Sequence, residues 1–297
     1  PVPKSGVLPS STNFAKPSQA SDRNTSMTLP VFIAPEAAAL QGCTRGDSYI
    51  LDGDEGFHAA TVRRIDVGAM LDVVDGMGLR ARCTVIDRAK KALTLRIDHL
   101  EREDEPEAEL LLIQALSAGG RDEMAIEMAT EVGVDAVMPW QANRSEVRWK
   151  GEKAAKGMRK WESTLRSATK QSRRAFIPRL EEARSSAALA QWIAQATQDG
   201  AWVLVCHESA DHRLSELLTQ LRGLSAQASP ASSAEAQPSC PPKIAVIVGP
   251  EGGVDPDELS LFEAAGARVC LLGTTVLRAS TAGPVALSLI SDAIGRW

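Results

Sequence analysis

Three polar breaks in the second half of the chain hold the residue types best suited to binding and chemistry. The first, Val248-Gly249-Pro250-Glu251-Gly252-Gly253, follows an apolar run at 244–248. Its closely spaced glycines let a backbone approach a ligand and offer amide donors. Asp255, Pro256 and Glu258 come next: an N-cap, a proline at the first helical position and the acid of a capping box, so a helix should start there. The second break runs over 271–283, from Leu271-Leu272-Gly273 through Val276-Leu277-Arg278 to Ser280-Thr281, with a helix expected to open at Pro284. A loop of that length in a compact domain is commonly functional. The third is Cys206-His207-Glu208-Ser209, after the apolar residues 203–205. Ligands of a parallel sheet bind beyond the carboxyl ends of its strands, so three such ends predict one shared pocket. The Gly252-Gly253 turn taken alone would serve equally well as a helix-capping turn. No Gly-x-Gly-x-x-Gly and no Walker lysine occur here, which gives dinucleotides and nucleoside triphosphates little support.

The elements that must position these breaks fall into two styles. Residues 29–33, 56–65, 70–75, 79–87 and 92–100 read as strands, with turns at Asp52-Gly53 and Asp75-Gly76. They predict a small β-barrel-like domain over 27–100, followed by an acidic linker at 101–109. From Leu110 to Trp297 strands alternate with helices, which predicts an α/β domain with a parallel sheet. Strands are expected at 110–116, 134–139, 176–180, 202–206, 244–248 and 268–272, and helices at 121–132 and 153–173. On the longer helix Ala154, Met158, Trp161, Leu165 and Ala168 form an apolar stripe. Residues 1–26 read as a disordered leader ahead of a native start at Met27, and 220–242, rich in Ser, Ala, Gln and Pro, as a disordered insertion.

Charge adds a second kind of partner. The net charge is −5, yet residues 144–179 carry twelve Lys or Arg against three acids, Glu146, Glu152 and Glu162. A local positive field of this kind suits a polyanion. Arg166, Lys170, Arg173 and Arg174, with Arg121 and Arg144, are the candidates for phosphate contacts. No apolar run is long enough to cross a bilayer. The five cysteines show no Cys-x-x-Cys pair, which argues against a metal site and suits a reducing cytoplasm.

Gly249-Pro250-Glu251-Gly252-Gly253, followed by Leu272-Gly273 and Val276-Leu277-Arg278, resembles the SPOUT class of methyltransferases. More narrowly the chain resembles the 16S ribosomal RNA uridine-N3 methyltransferase (RsmE) family, from Met27 onward. The segments Glu127-Met128-Ala129-Thr130-Glu131-Val132-Gly133-Val134 and Gln171-Ser172-Arg173-Arg174 share in that likeness. It implies a PUA-like β-barrel ahead of an α/β domain that is trefoil-knotted over roughly 200–297. It also implies a cytoplasmic homodimer acting on 16S rRNA of the small subunit, with S-adenosylmethionine bound in a bent form by three loops. The implied cofactor contacts are Cys206, His207, Glu208, Val248, Gly249, Pro250, Glu251, Gly252, Gly253, Leu271, Leu272, Gly273, Val276, Leu277, Arg278 and Thr281. Members often read Leu-Arg-Thr-Glu-Thr-Ala where this chain has Leu277-Arg278-Ala279-Ser280-Thr281-Ala282, so the family's Glu has no counterpart. The chemistry is therefore expected at Arg278, which would stabilise charge on the uracil oxygens, with Glu251 or a hydroxyl of Ser280 or Thr281 orienting the base or relaying its proton. The alternatives are another RNA target on the same fold (a ribose 2′-hydroxyl or a tRNA guanine) and an RNA-binding protein without catalysis.

Overall fold

The structure, a computed structural model, describes residues 29–226 and 242–297. The expected leader, the start at Met27 and residues 227–241 of the expected insertion lie outside the described residues.

Period-two alternation builds the first sheet. In chain order come β1 (Val31–Ile33), α1 (Ala37–Gln41), β2 (Ser48–Leu51), α2 (Gly53–Phe57), β3 (Met70–Val74), β4 (Leu79–Arg88) and β5 (Leu93–Arg102). The strands lie in the order β1-β3-β4-β5-β2, antiparallel apart from β1 beside β3. Ala81, Cys83 and Val85 of β4 and Leu93, Leu95 and Ile97 of β5 point into one core, closed by Leu40 and Leu51. Residues 56–65, expected as a strand, are helical instead: α2 passes into a π-helical turn at His58–Val62. Gly56, Ala59 and Ala60 are the buried members, at the three-and-one spacing of a helix face. Asp54 and Glu55 occupy the first turn, where carboxylates favour a helix start. A Cβ at 56 would collide with the Leu51 carbonyl, so only glycine lets α2 pack against β2.

From Glu109 strands and helices alternate as β6 (Glu109–Ala115), α3 (Arg121–Glu131), β7 (Ala136–Gln141), α4 (Glu152–Ser172), β8 (Arg179–Leu180), β9 (Arg184–Ser185), α5 (Ser186–Gln198), β10 (Trp202–Cys206), α6 (Leu214–Ala226), β11 (Lys243–Val248), α7 (Pro256–Ala264), β12 (Arg268–Cys270) and α8 (Ala279–Ala293). The sheet order is β12-β10-β11-β6-β7-β8, with β9 also against β7, and every pairing is parallel. Leu110 and Leu112 of β6 enter one core, Leu111 and Ile113 the other. Burial on both faces explains the continuous apolar run, and each such side chain contributes about 1.5–3 kcal/mol.

Three further expectations change in this second domain. Residues 220–226 belong to α6, where Leu221 is fully buried, rather than to an insertion. Of 176–180 only Arg179–Leu180 is a strand; Phe176 bridges Gly76 and Met77 of the first domain. Its ring fills the space beside Gly78 and joins the two domains. Finally, α8 starts at Ala279 and not at Pro284, because the Arg278 carbonyl already accepts from Thr281 and Ala282 at 2.9 and 3.0 Å. Pro284 forgoes a hydrogen bond in the second turn, a loss the nine buried residues of α8 outweigh. The loop ahead of α8 is therefore 271–278.

The order in which the chain adds strands reverses between β6 and β11, although the strands stay parallel. From β6 the chain proceeds outward to β7 and β8, whereas β11, β10 and β12 extend the other side. A topological switch point of this kind leaves a crevice at the strand carboxyl ends.

Candidate functional site

The loop after β11 lies at that switch point. Gly253 N–H donates to the Pro250 carbonyl at 2.9 Å and closes a tight turn. Gly253 takes φ +74°, and a Cβ on Gly249 would lie 2.7 Å from Val254 Cγ2, so both glycines are required for this path. The helix start behind it follows the sequence: Asp255 caps α7 through Asp257 N–H at 3.0 Å, Pro256 is its first residue, and Glu258 returns a bond to Asp255 N–H at 3.3 Å. Glu258 is buried and does more than cap. Its carboxylate accepts from Asn143 N–H at 2.7 Å and from the Ser186 hydroxyl, which ties α7 to the end of β7 and the start of α5.

The other two loops close against each other. His207 N–H donates to Cys270 C=O at 3.0 Å, Leu271 N–H to His212 C=O at 2.8 Å, and Leu214 N–H to Leu271 C=O at 2.9 Å. Together the three loops enclose a cleft of about 670 Å³ bordered by Cys206, His207, Glu208, Val248 to Val254, Val276, Leu277 and Arg278. A recess of about 70 Å³ shares Cys206, His207 and Glu208 and adds Leu271, Leu272, Gly273 and Thr275. The residues expected around one ligand are thus brought together, with one exception. Thr281 sits in the first turn of α8 and borders neither space. Ser280 is buried in the same turn, which removes its hydroxyl from the cleft.

Charge in the cleft is mixed. Arg121, expected at the RNA, instead opens α3 beside the cleft and holds Glu251 at 2.8 Å. Burial pushes the Glu251 carboxyl up, but hydrogen bonds from Arg121 and from its own backbone amide outweigh that and keep it below the usual range. Glu251 is therefore a carboxylate whose charge Arg121 balances, rather than a ready proton acceptor. Arg144 pairs with Asp255 at 3.4 Å and donates to the Gly252 carbonyl at 3.2 Å. The Arg278 side chain is exposed and has no ion-pair partner among the described residues. Sequence reasoning missed Asp122. It is 3% exposed at the start of α3, and burial, then Glu123 beside it, push its pKa up to about 7. Adjacent acids in the first turn were the only signal.

The basic segment divides. Arg166 borders a groove of about 430 Å³ between α4 and β8, with Arg159, Met158, Leu165, Ile177 and Leu180. Arg173 is exposed at the left-handed C-cap of α4. Two expected phosphate ligands are committed elsewhere. Lys170 pairs with Glu55 of the first domain at 2.6 Å. Arg174 turns inward and donates to the carbonyls of Thr130 and Val134 at 3.0 and 2.6 Å. Both hold the protein together and are structural residues, not the RNA ligands the sequence suggests.

The chain matches the RNA methyltransferase domain family over residues 103–291 and the RNA methyltransferase PUA domain over 51–98. It is 42% identical over 250 residues to the ribosomal RNA small subunit methyltransferase E of Mycobacterium bovis, covering 84% of this chain and 87% of that protein. The protein of the same name from Bacillus subtilis is 28% identical over 82% of this chain and 90% of its own length. Among solved structures, a Legionella pneumophila methyltransferase in complex with bound S-adenosylmethionine superposes with a TM-score of 0.69 at 26% identity, over 90% of this chain and 98% of that one. The Neisseria gonorrhoeae ribosomal RNA small subunit methyltransferase E shares the fold, with a TM-score of 0.71 at 23% identity over 89% of this chain and 98% of that one.

Proposed function

Because the chain belongs to the RNA methyltransferase family of the ribosomal RNA small subunit methyltransferase E proteins, we propose that it methylates a uridine N3 of 16S rRNA, with S-adenosylmethionine held in the three-loop cleft. The observation that carries this reading is the convergence of three strand-end loops at the switch point of a sheet with this family's fold.

The cleft fits the cofactor. Its volume, about 670 Å³, lies within the roughly 300–1,000 Å³ of small-molecule sites. Val248, Pro250, Val276 and Leu277 offer an apolar wall for a flat base, and the backbone groups of 249–253 that the loop's own bonds leave free offer donors and acceptors beside it. Arg144, Arg278 and Glu208 border the same space, and Arg121 balances Glu251 there at 2.8 Å, so the cleft offers partners of either charge to a carboxylate and an ammonium. When bound, S-adenosylmethionine supplies an electrophilic methyl group. The residues of the chain position the base and manage its charge. Uracil N3 must lose a proton, and the exposed Arg278 guanidinium offsets the negative charge that develops on the ring oxygens. Glu251, fixed by Arg121, orients the base.

The RNA is bound through its phosphates by Arg166 and Arg173, with Arg144 at the rim of the cleft. A base buried in a duplex is out of reach, so the target uridine is presented single-stranded or flipped. Family membership also supports a cytoplasmic homodimer and a trefoil knot. The knot is supported by the path of α8, which returns from edge strand β12 to pack on α3, β6 and β11. No helix among the described residues is long and apolar enough to cross a membrane. A tRNA or ribose target, or binding without catalysis, is not favoured: the relatives are named for methylating small-subunit rRNA. Mass mapping of 16S rRNA from cells lacking the gene tests the reading. One 3-methyluridine should vanish and return on complementation; an unchanged map would refute it.

A further inference from the structure

β10 and β12 run side by side in parallel register, and that register pairs Cys206 with Cys270 at their carboxyl ends. Partners in neighbouring parallel strands share a face of the sheet, and both cysteines belong to the same core cluster beneath the cleft. Neighbouring strands are spaced by about 4.8 Å, within the Cα separation of about 4.4–6.8 Å that a disulfide spans. The nearness of the two thiols raises the pKa of Cys206, which burial raises further, and lowers that of Cys270. Both are free thiols, and only Cys206 borders the cleft and the recess; Cys270 is buried behind it.

We propose that Cys206 and Cys270 are a modification site, a dithiol at the root of the cleft that hydrogen peroxide converts to a disulfide, with loss of cofactor binding. One sulfur attacks a peroxide oxygen, breaking the O–O bond to give a sulfenic acid and one water. The second thiol attacks that sulfur, forming the S–S bond and releasing the hydroxyl as a second water. Two electrons pass from the sulfurs to the peroxide, and the two thiol protons leave in the waters. The bond draws the end of β10 toward β12, where His207 N–H already holds the Cys270 carbonyl at 3.0 Å. It thereby locks the loop at 207–213 against the loop at 271–278 and withdraws the Cys206 side chain from the wall. The loss of binding rests on the reading of this cleft as the S-adenosylmethionine site; formation of the disulfide does not.

The test is peptide mass mapping of the full chain after hydrogen peroxide, under non-reducing conditions, with and without S-adenosylmethionine. The expected result is a Cys206–Cys270 cross-linked peptide that forms more slowly when the cofactor is present. Calorimetry should show cofactor binding lost in the cross-linked protein and regained with dithiothreitol. Cys270→Ser should abolish the cross-link and keep cofactor binding through the peroxide treatment. Absence of that peptide, or cross-links confined to Cys43 or Cys83, overturns the proposal, as does an equal loss of binding in Cys270→Ser. A cross-link that forms equally fast with and without cofactor upholds the dithiol and counts against the cofactor reading of the cleft.

Discussion

Gly249 and Gly253 bracket the loop after β11, yet they resist a side chain for different reasons, and alanine at each separates the two. At 249 the new methyl would sit 2.7 Å from Val254 Cγ2 and 3.2 Å from Val254 N. Val254 is 4% exposed and packed in the core with residues of the sheet, α5 and α7, so it yields little. Overpacking of this kind costs about 1–3 kcal/mol. At 253 nothing lies within 4 Å of the new methyl, but φ is +74°, so the cost is backbone strain of about 1 kcal/mol. Gly249→Ala should therefore lower the unfolding free energy by about 2 kcal/mol. It should also displace the loop and weaken S-adenosylmethionine binding about tenfold or more, since every 1.4 kcal/mol is about tenfold. Gly253→Ala should lose about half as much in each measurement. Urea unfolding gives the first quantity and calorimetry the second. A Gly249→Ala protein with unchanged stability and affinity, or a Gly253→Ala protein damaged more severely, would refute the reasoning.

Arg278→Ala should reduce methyl transfer on the order of 10²-fold while the cofactor Kd stays within a few-fold; a Kd that rises as much as turnover falls would reassign Arg278 to cofactor binding. Arg166→Ala should weaken RNA binding and flatten its dependence on log salt by about 0.7 for a single strand, whereas Arg174→Ala should mainly lower stability, because its partners are the carbonyls of Thr130 and Val134. Equal salt slopes for the wild type and Arg166→Ala would remove that contact. Asp122 has a folded pKa pushed up to about 7 from 3.8, so the native chain keeps a proton that the unfolded chain releases between those values. Stability from this group is full below about pH 4 and is lost as pH rises toward about 7. Urea unfolding across that range should show the decline, and Asp122→Asn should flatten it; Glu123, whose pKa is lowered, acts in a separate, more acidic window.

The loops of the site were legible because their signals are local. Asp255-Pro256 and Glu258 announce a helix start through hydrogen bonds that span three residues, and the structure forms them. The apolar run of β6 is legible because both faces of the sheet are buried. Pro284 misled for a local reason of its own: proline is common at the first helical position, and only the packing of α8 against the sheet decides that the helix begins earlier. Residues 56–65 misled because Phe57, Thr61, Val62 and Ile65 are residue types that favour strands, and the close packing of Gly56 on Leu51 decided for a helix. Lys170 and Arg174 could not be judged from spacing at all. Their partners, Glu55 and the carbonyls of Thr130 and Val134, are 115, 44 and 40 residues away in sequence. A basic helix looks the same on paper whether its charges meet phosphate or another domain.

Incubating the purified chain with small ribosomal subunits that lack the modification and with methyl-labelled S-adenosylmethionine, then resolving the nucleosides by mass spectrometry, tests the central claim most directly. Label in 3-methyluridine at a single 16S position, lost in Arg278→Ala, is the predicted result. Label in a ribose methyl or a guanine, or no transfer by a chain that binds the cofactor, would contradict it.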